Sequence, residues 1–100
     1  MSEVSVVAKR LKEARIRAGI SQKQLGIQAD IDEFSASARI NQYERGKHEP
    51  DLRTLTRLAA VLDVPVPYFY CEDSELAQVI VEFAKLKRPQ RKRLLALLVE

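Results

Sequence analysis

One hundred residues with few glycines and prolines and an ordinary share of apolar side chains point to one globular, mostly helical domain. A net charge of +3 excludes a histone-like polycation, so nucleic-acid binding here requires local clustering of cations. The single cysteine, Cys71, excludes an internal disulfide and suits a reducing cytoplasm; no apolar run reaches membrane-spanning length, and MSEVSVVAKRL lacks the marks of a signal peptide.

The spacing predicts a first helix over residues 3–18, with Val7, Leu11, Ala14 and Ala18 at helical intervals and Val4 and Ile16 widening the apolar face. Lys9, Arg10, Lys12, Arg15 and Arg17 take much of the rest, and a solvated face accounts for Lys9 and Arg10 as well as any other role does. Gly19 is placed to end this helix in a left-handed cap. Ser21 can cap a second helix, 21–29, and Gln24 can complete a capping box. Leu25 and Ala29 share its inner face, with Ile20 as a staple before the cap.

Residues 30–35, DIDEFS, read as an extended turn. Three acids facing DNA would repel phosphate, so Asp30, Asp32 and Glu33 are expected to point sideways or to cap the next helix. Phe34 is expected at the core edge, since an exposed phenylalanine is costly; insertion at a base step is the lesser alternative. Ser35 or Ser37 can cap a third helix, 36–44. Ile40 and Tyr43 form its inner face, while Ser37, Ala38, Asn41 and Gln42 leave the other side small or amide-bearing. Such a side suits base edges better than mere solvation: Asn and Gln pair with adenine in the major groove, and Arg39 can reach guanine or a phosphate. The competing account of this helix is a protein-interaction surface.

The loop RGKHEP, 45–50, follows. Gly46 permits a positive φ there, and Arg45 and Lys47 are natural backbone clamps. His48 has no partner at metal spacing and reads as an exposed loop residue. A fourth helix spans 51–62, capped by Asp51, with Leu52, Leu55, Leu58, Ala59 and Leu62 as its stripe. Arg53 and Arg57 lie on another face, and Arg53 is near enough to the loop to be a phosphate contact. A short fifth helix started by Pro65 or Pro67 carries Val66, Tyr68 and Phe69, the aromatics belonging to core or dimer interface, and Cys71 closes it as a small half-buried group.

Beyond it, Leu76, Val79, Ile80, Phe83 and Leu86 repeat as an amphipathic helix, and Pro89 starts another with Leu94, Leu95, Leu97 and Leu98. Between them KLKRPQRKR holds six cations and no acid. A solvated connector is the simpler reading of that run, and a flanking DNA-backbone contact the sharper one.

LKEARIRAGISQKQLGIQA (Leu11 to Ala29), INQYERGKHEPDLRTLTRLAAVLDV (Ile40 to Val64) and the PYF that follows resemble the lambda-repressor/Cro-like, or XRE-type, helix-turn-helix family. The resemblance spans roughly residues 6 to 70. It implies an all-α fold: a five-helix DNA-binding domain with a helix-turn-helix over residues 1–71, followed by a helical extension, 72–100, for dimerisation. The stretch between Ala29 and Ile40 is longer than is usual in that family. Counted back from Ile40, its base-reading slots fall on Ala36, Ser37, Ala38, Asn41 and Gln42; with Arg39 added, Arg39, Asn41 and Gln42 are the expected readers, and Ser37 and Ala38 allow close approach. The resemblance also implies a phosphate contact at Gln22, joined here by Arg45, Lys47 and Arg53, and a structural pair between Arg15 and Glu44.

The function expected is sequence-specific DNA binding that regulates transcription, most simply as a cytoplasmic, nucleoid-associated repressor. Its partners would be a double-stranded DNA operator and a second copy of the chain, with no membrane, small-molecule ligand, cofactor or metal. The alternative is a protein-interaction module, such as an antitoxin that binds a partner through residues 73–100. No nucleophile, phosphate-loop or metal-ligand pattern stands out, so an enzyme is not expected.

Overall fold

A computed structural model describes residues 5–100. The expected helix start at residue 3, and Val4 on its apolar face, lie outside them. The described chain is all-helical: α1 (Val6–Ala18), α2 (Gln22–Gln28), α3 (Glu33–Glu44), α4 (Leu52–Leu62), a 3₁₀ helix (Val66–Tyr70), α5 (Ser74–Lys85) and α6 (Arg88–Leu98).

Local chemistry sets most of the boundaries. The hydroxyl of Ser5 accepts from the Ala8 amide at 3.2 Å and opens α1. Gly19, at φ 70°, ends α1 in the left-handed region. Ser21 and Gln24 form the reciprocal capping box, each bond 3.0 Å, so α2 is fixed at its first turn. Asp51 accepts from the Thr54 amide at 2.8 Å, and that bond holds its carboxyl below the usual carboxylate range.

The core gathers one face from nearly every element: Val7, Leu11 and Ala14 from α1, Leu25 from α2, Ile40 and Tyr43 from α3, and Leu55, Leu58 and Leu62 from α4. Tyr68 and Phe69 of the 3₁₀ helix plug it, edge to face at 5.4 Å. Three expected members stay outside: Ala18 at the end of α1, and Ile16 and Leu52, 60% and 66% exposed. Ile16 and Leu52 each sit on the flank of a helix whose neighbours already fill the buried side.

The largest correction concerns α3. It begins at Glu33, so residues 33–35 are its first turn and not part of an extended loop. The connection from α2 is only Ala29 to Asp32. Ile31 donates to the Gly26 carbonyl at 2.9 Å, and Asp30 takes the left-handed conformation at φ 69°. The cap is Asp32, whose carboxylate accepts from the Phe34 amide at 3.1 Å, in line with the capping role expected among the three acids and in place of Ser35 or Ser37. Glu33 follows in the first turn, where a carboxylate suits the helix dipole.

Close packing locks this register. Ala36 is fully buried against Gly26, and a Cβ added at Gly26 would stand 2.6 Å from the Ala36 Cβ and 3.0 Å from its Cα. Ala36 is therefore a helix-packing residue and unavailable to a base.

Arg10 is the second correction. Lys9 is exposed, but Arg10 is 2% exposed. Its guanidinium donates to the carbonyls of Cys71 (2.8 Å) and Glu72 (2.9 Å), to the Ser74 hydroxyl (3.3 Å) and to Glu13 (2.9 Å). It thereby ties the start of α5 to α1. Ala77 and Val81 then carry α5 into the same core. The side of α5 bearing Leu76 and Val79 stays exposed, contrary to the simple stripe expected there.

No residue of α6 is buried. Arg91 donates to the Phe83 and Ala84 carbonyls at 3.2 and 3.0 Å and lies 4.9 Å from the Phe83 ring centre. The second bond satisfies a carbonyl left free at the end of α5, while the Phe83 carbonyl is shared with the Leu86 amide at 3.1 Å.

Replacing Gly26 with alanine should lower stability by about 1–2 kcal/mol, because the overlap with Ala36 outweighs the gain in helix propensity. Urea unfolding measures this; a variant as stable as the parent would show that α2 and α3 are less tightly apposed.

Candidate nucleic-acid interface

The site is built around the Glu44 carboxylate, at the C-terminal end of α3. Its side chain is 2% exposed. Arg15 of α1 grips it bidentately, Nε to Oε2 at 2.6 Å and Nη2 to Oε1 at 3.1 Å, and spends Nη1 on the Ile20 carbonyl at 3.1 Å. Gln22, in the first turn of α2, adds a third donor: its Nε2 lies 3.1 Å from Glu44 Oε1 and 3.3 Å from Asn41 Oδ1. Planar, paired bonds of this kind fix direction as well as distance. One carboxylate thus sets the orientation of α3 against both preceding helices.

With Ala36, Ile40, Tyr43 and Glu44 turned inward, the opposite side of α3 is determined. Phe34, Ala38, Asn41 and Arg45 follow one another at helical spacing along that outer side. Ser37, Ala38 and Arg39 are exposed, and Asn41 and Gln42 are half-buried. Asn41 has one amide oxygen contact to Gln22, which leaves its amide nitrogen free to face outward. Arg39 and Gln42 lie toward the following loop, where they line a cleft with Tyr43, His48 and Glu49.

That loop folds back on the end of α3. Lys47 donates its amide to the Gln42 carbonyl at 2.9 Å, and Gly46 stands at φ 73°, a conformation that glycine adopts without strain. Arg45, Lys47 and His48 are left exposed on it. Arg53 is exposed on the first turn of α4. Among the described residues, Arg39, Arg45, Lys47 and Arg53 form no ion pair. Their charge is available to an external anion. Gln22, by contrast, is half-buried with both hydrogens of its amide nitrogen spent on Glu44 and Asn41, so a phosphate contact of its own falls to its backbone amide at the start of α2.

Phe34 is the residue that sequence reasoning misplaced. It is 91% exposed on the outer side of α3 instead of tucked into the core edge. Starting the third helix directly after Asp32, and not at residue 36, would have revealed this, since it puts Phe34 in the first turn and away from Ile40.

Among the described residues no group of His, Cys and acidic side chains is placed to hold a metal, and no helix is long and apolar enough to cross a membrane.

The unit formed by α2, its short turn and α3, braced by α1 and α4, is a helix-turn-helix. The chain belongs to the helix-turn-helix family, whose sequence model matches residues 11–69. The crystal structure of transcriptional regulator BswR is similar over 91% of this chain and 90% of that chain, at 53% identity and a TM-score of 0.85. The HTH-type transcriptional regulator ImmR of Bacillus subtilis (strain 168) is 34% identical over 67 residues, 67% of this chain. The chain spans 50% of the length of ImmR.

Glu44→Ala should destabilise the fold by about 2–3 kcal/mol, short of the full penalty for a deeply buried pair because Arg15 retains some contact with water. An unchanged thermal midpoint would mean that the three-residue network contributes little to the orientation of α3.

Proposed function

We propose that this chain is a sequence-specific DNA-binding transcriptional regulator that acts as a homodimer, most simply by occluding a promoter as a repressor in the cytoplasm. The reading is carried by one observation: α3 is held by buried bonds on one side and turns small and amide-bearing side chains outward on the other.

In this account α3 lies in the major groove. Arg39, Asn41 and Gln42 reach base edges, and Ser37 and Ala38 let the helix approach closely. Gln22, Arg45, Lys47 and Arg53 meet phosphates on either side, which sets register without reading sequence. The likeness to proteins described as transcriptional regulators supports the role, and the outward cations supply the anion-binding half of it.

Residues 72–100 are assigned to dimerisation. The support is the apolar surface left uncovered on α5 and α6: Leu76, Val79, Leu95, Leu97, Leu98 and Val99 are each about half or more exposed. The described residues leave this surface partly uncovered, and a second copy of the same face would cover it. Because Ala77 and Val81 belong to the main core, α5 would serve both the DNA-binding body and the interface.

Two substitutions separate the roles. Gln42→Ala should relax preference at one base pair, costing about 1–3 kcal/mol on the preferred site and little on its variant at that position. Fluorescence titration against the site and its single-base variants measures this, and full retention of the preference would remove Gln42 from the readers. Lys47→Ala should weaken binding to every sequence alike and reduce the slope of log K against log salt by about one. An unaltered slope would take Lys47 out of the phosphate set.

A further inference from the structure

We propose that Phe34 is a specificity-determining residue that packs against the 5-methyl group of a thymine in the major groove. The inference rests on the DNA-binding reading above and adds to it a base and an atom.

The other phenylalanines of the chain find partners within it: Phe69 is fully buried and Phe83 lies under Arg91. Phe34 is 91% exposed, left uncovered by the other described residues. Its backbone is firmly held, with its amide bound to the Asp32 carboxylate at 3.1 Å and Ala36, two residues on, locked against Gly26. The ring is therefore presented from a fixed point and does not have the option of folding inward.

That point is the first turn of α3, on the outer stripe that continues through Ala38 to Asn41 and Arg45. Where such a helix enters the major groove, its N-terminal residues face the base edges. Of the four bases only thymine offers an apolar group there, and apolar side chains are its natural contacts. The neighbours of Phe34 narrow the choice. Asp30, Asp32 and Glu33 are exposed beside it and disfavour the phosphate backbone as the surface that covers the ring. Insertion between base pairs belongs to proteins that wedge open the minor groove, whereas a helix lying in the major groove meets edges and not steps. Ala38, one turn further on, has no bulk to hold the ring away from the groove floor. From Phe34 to Asn41 the helix advances about 10 Å, so the thymine should fall within about three base pairs of the position that Asn41 contacts.

The test uses the full chain and the site that it enriches from random DNA. Each thymine of that site is replaced singly by deoxyuridine, which removes the methyl group and nothing else. One replacement per half-site should weaken binding about fourfold, the value of one buried methyl group. Phe34→Ala should bind that duplex and its thymine parent equally, while keeping the base preference that depends on Gln42; Phe34→Leu should restore part of the methyl effect. The inference is overturned if Phe34→Ala remains as sensitive as the parent to every deoxyuridine, or if the parent is sensitive to none. It is also overturned if Phe34→Ala changes only self-association, which would make the ring an interface between copies. If the chain enriches no sequence at all, the DNA-binding reading itself fails, and that outcome appears before any modified duplex is made.

Discussion

The carboxylate of Glu44 is the point on which the architecture turns. It receives three donors, two from Arg15 on α1 and one from Gln22 on α2, and it sits at the end of the helix that turns amide-bearing side chains outward. A buried charge is tolerable only when fully partnered, so the network is satisfied in one geometry and costly in any other. An ion pair of this kind is weak evidence for stability, but it is a good device for direction. Rotating α3 by one residue would strand the carboxylate and turn Asn41 and Gln42 away from the outside.

The second constraint acts at the opposite end of α3. Gly26 and Ala36 bring α2 and α3 to near backbone contact, and the Gly26 carbonyl accepts from Ile31 in the turn. The polar clamp at one end and the steric one at the other fix both the tilt and the rotation of α3. With these settled, the outer stripe follows from helical geometry alone. The C-terminal elements are joined to this frame through Arg10, which bonds the backbone at Cys71 and Glu72 from a wholly buried position. The exposed apolar side of α5 is thus mounted on the same frame as the candidate reading helix, an arrangement that would let the proposed dimer set half-site spacing.

Legibility in the sequence tracked the range of the interaction concerned. Capping is local, so Ser21 with Gln24, Gly19 and Asp51 could be read from three or four residues of context. The stripes of α1 and α4 were legible except at Ile16, Ala18 and Leu52, where periodicity cannot say how wide or how long the buried face is. The start of α3 was not legible. Asp32, Ser35 and Ser37 can all cap a helix, and the choice among them is made by Gly26, a contact that depends on how α2 packs. That single ambiguity carried Phe34 to the wrong side and gave Ala36 to the interface. Arg10 was beyond reach for a different reason: three of its acceptors lie more than sixty positions away in the chain, and two of these are carbonyls that every residue possesses. The amide-bearing outer side of α3 could be recognised because a solvated helix has no need of it.

Selection of bound sites from random duplex DNA by the full chain tests most directly whether the free side of α3 reads bases. The account predicts enrichment of a two-fold symmetric site whose half-sites are centred about 10 base pairs apart or a multiple of that spacing, so that two copies of α3 meet the same face of the duplex. Recovery of unenriched sequence, with binding that follows salt alone, would contradict it.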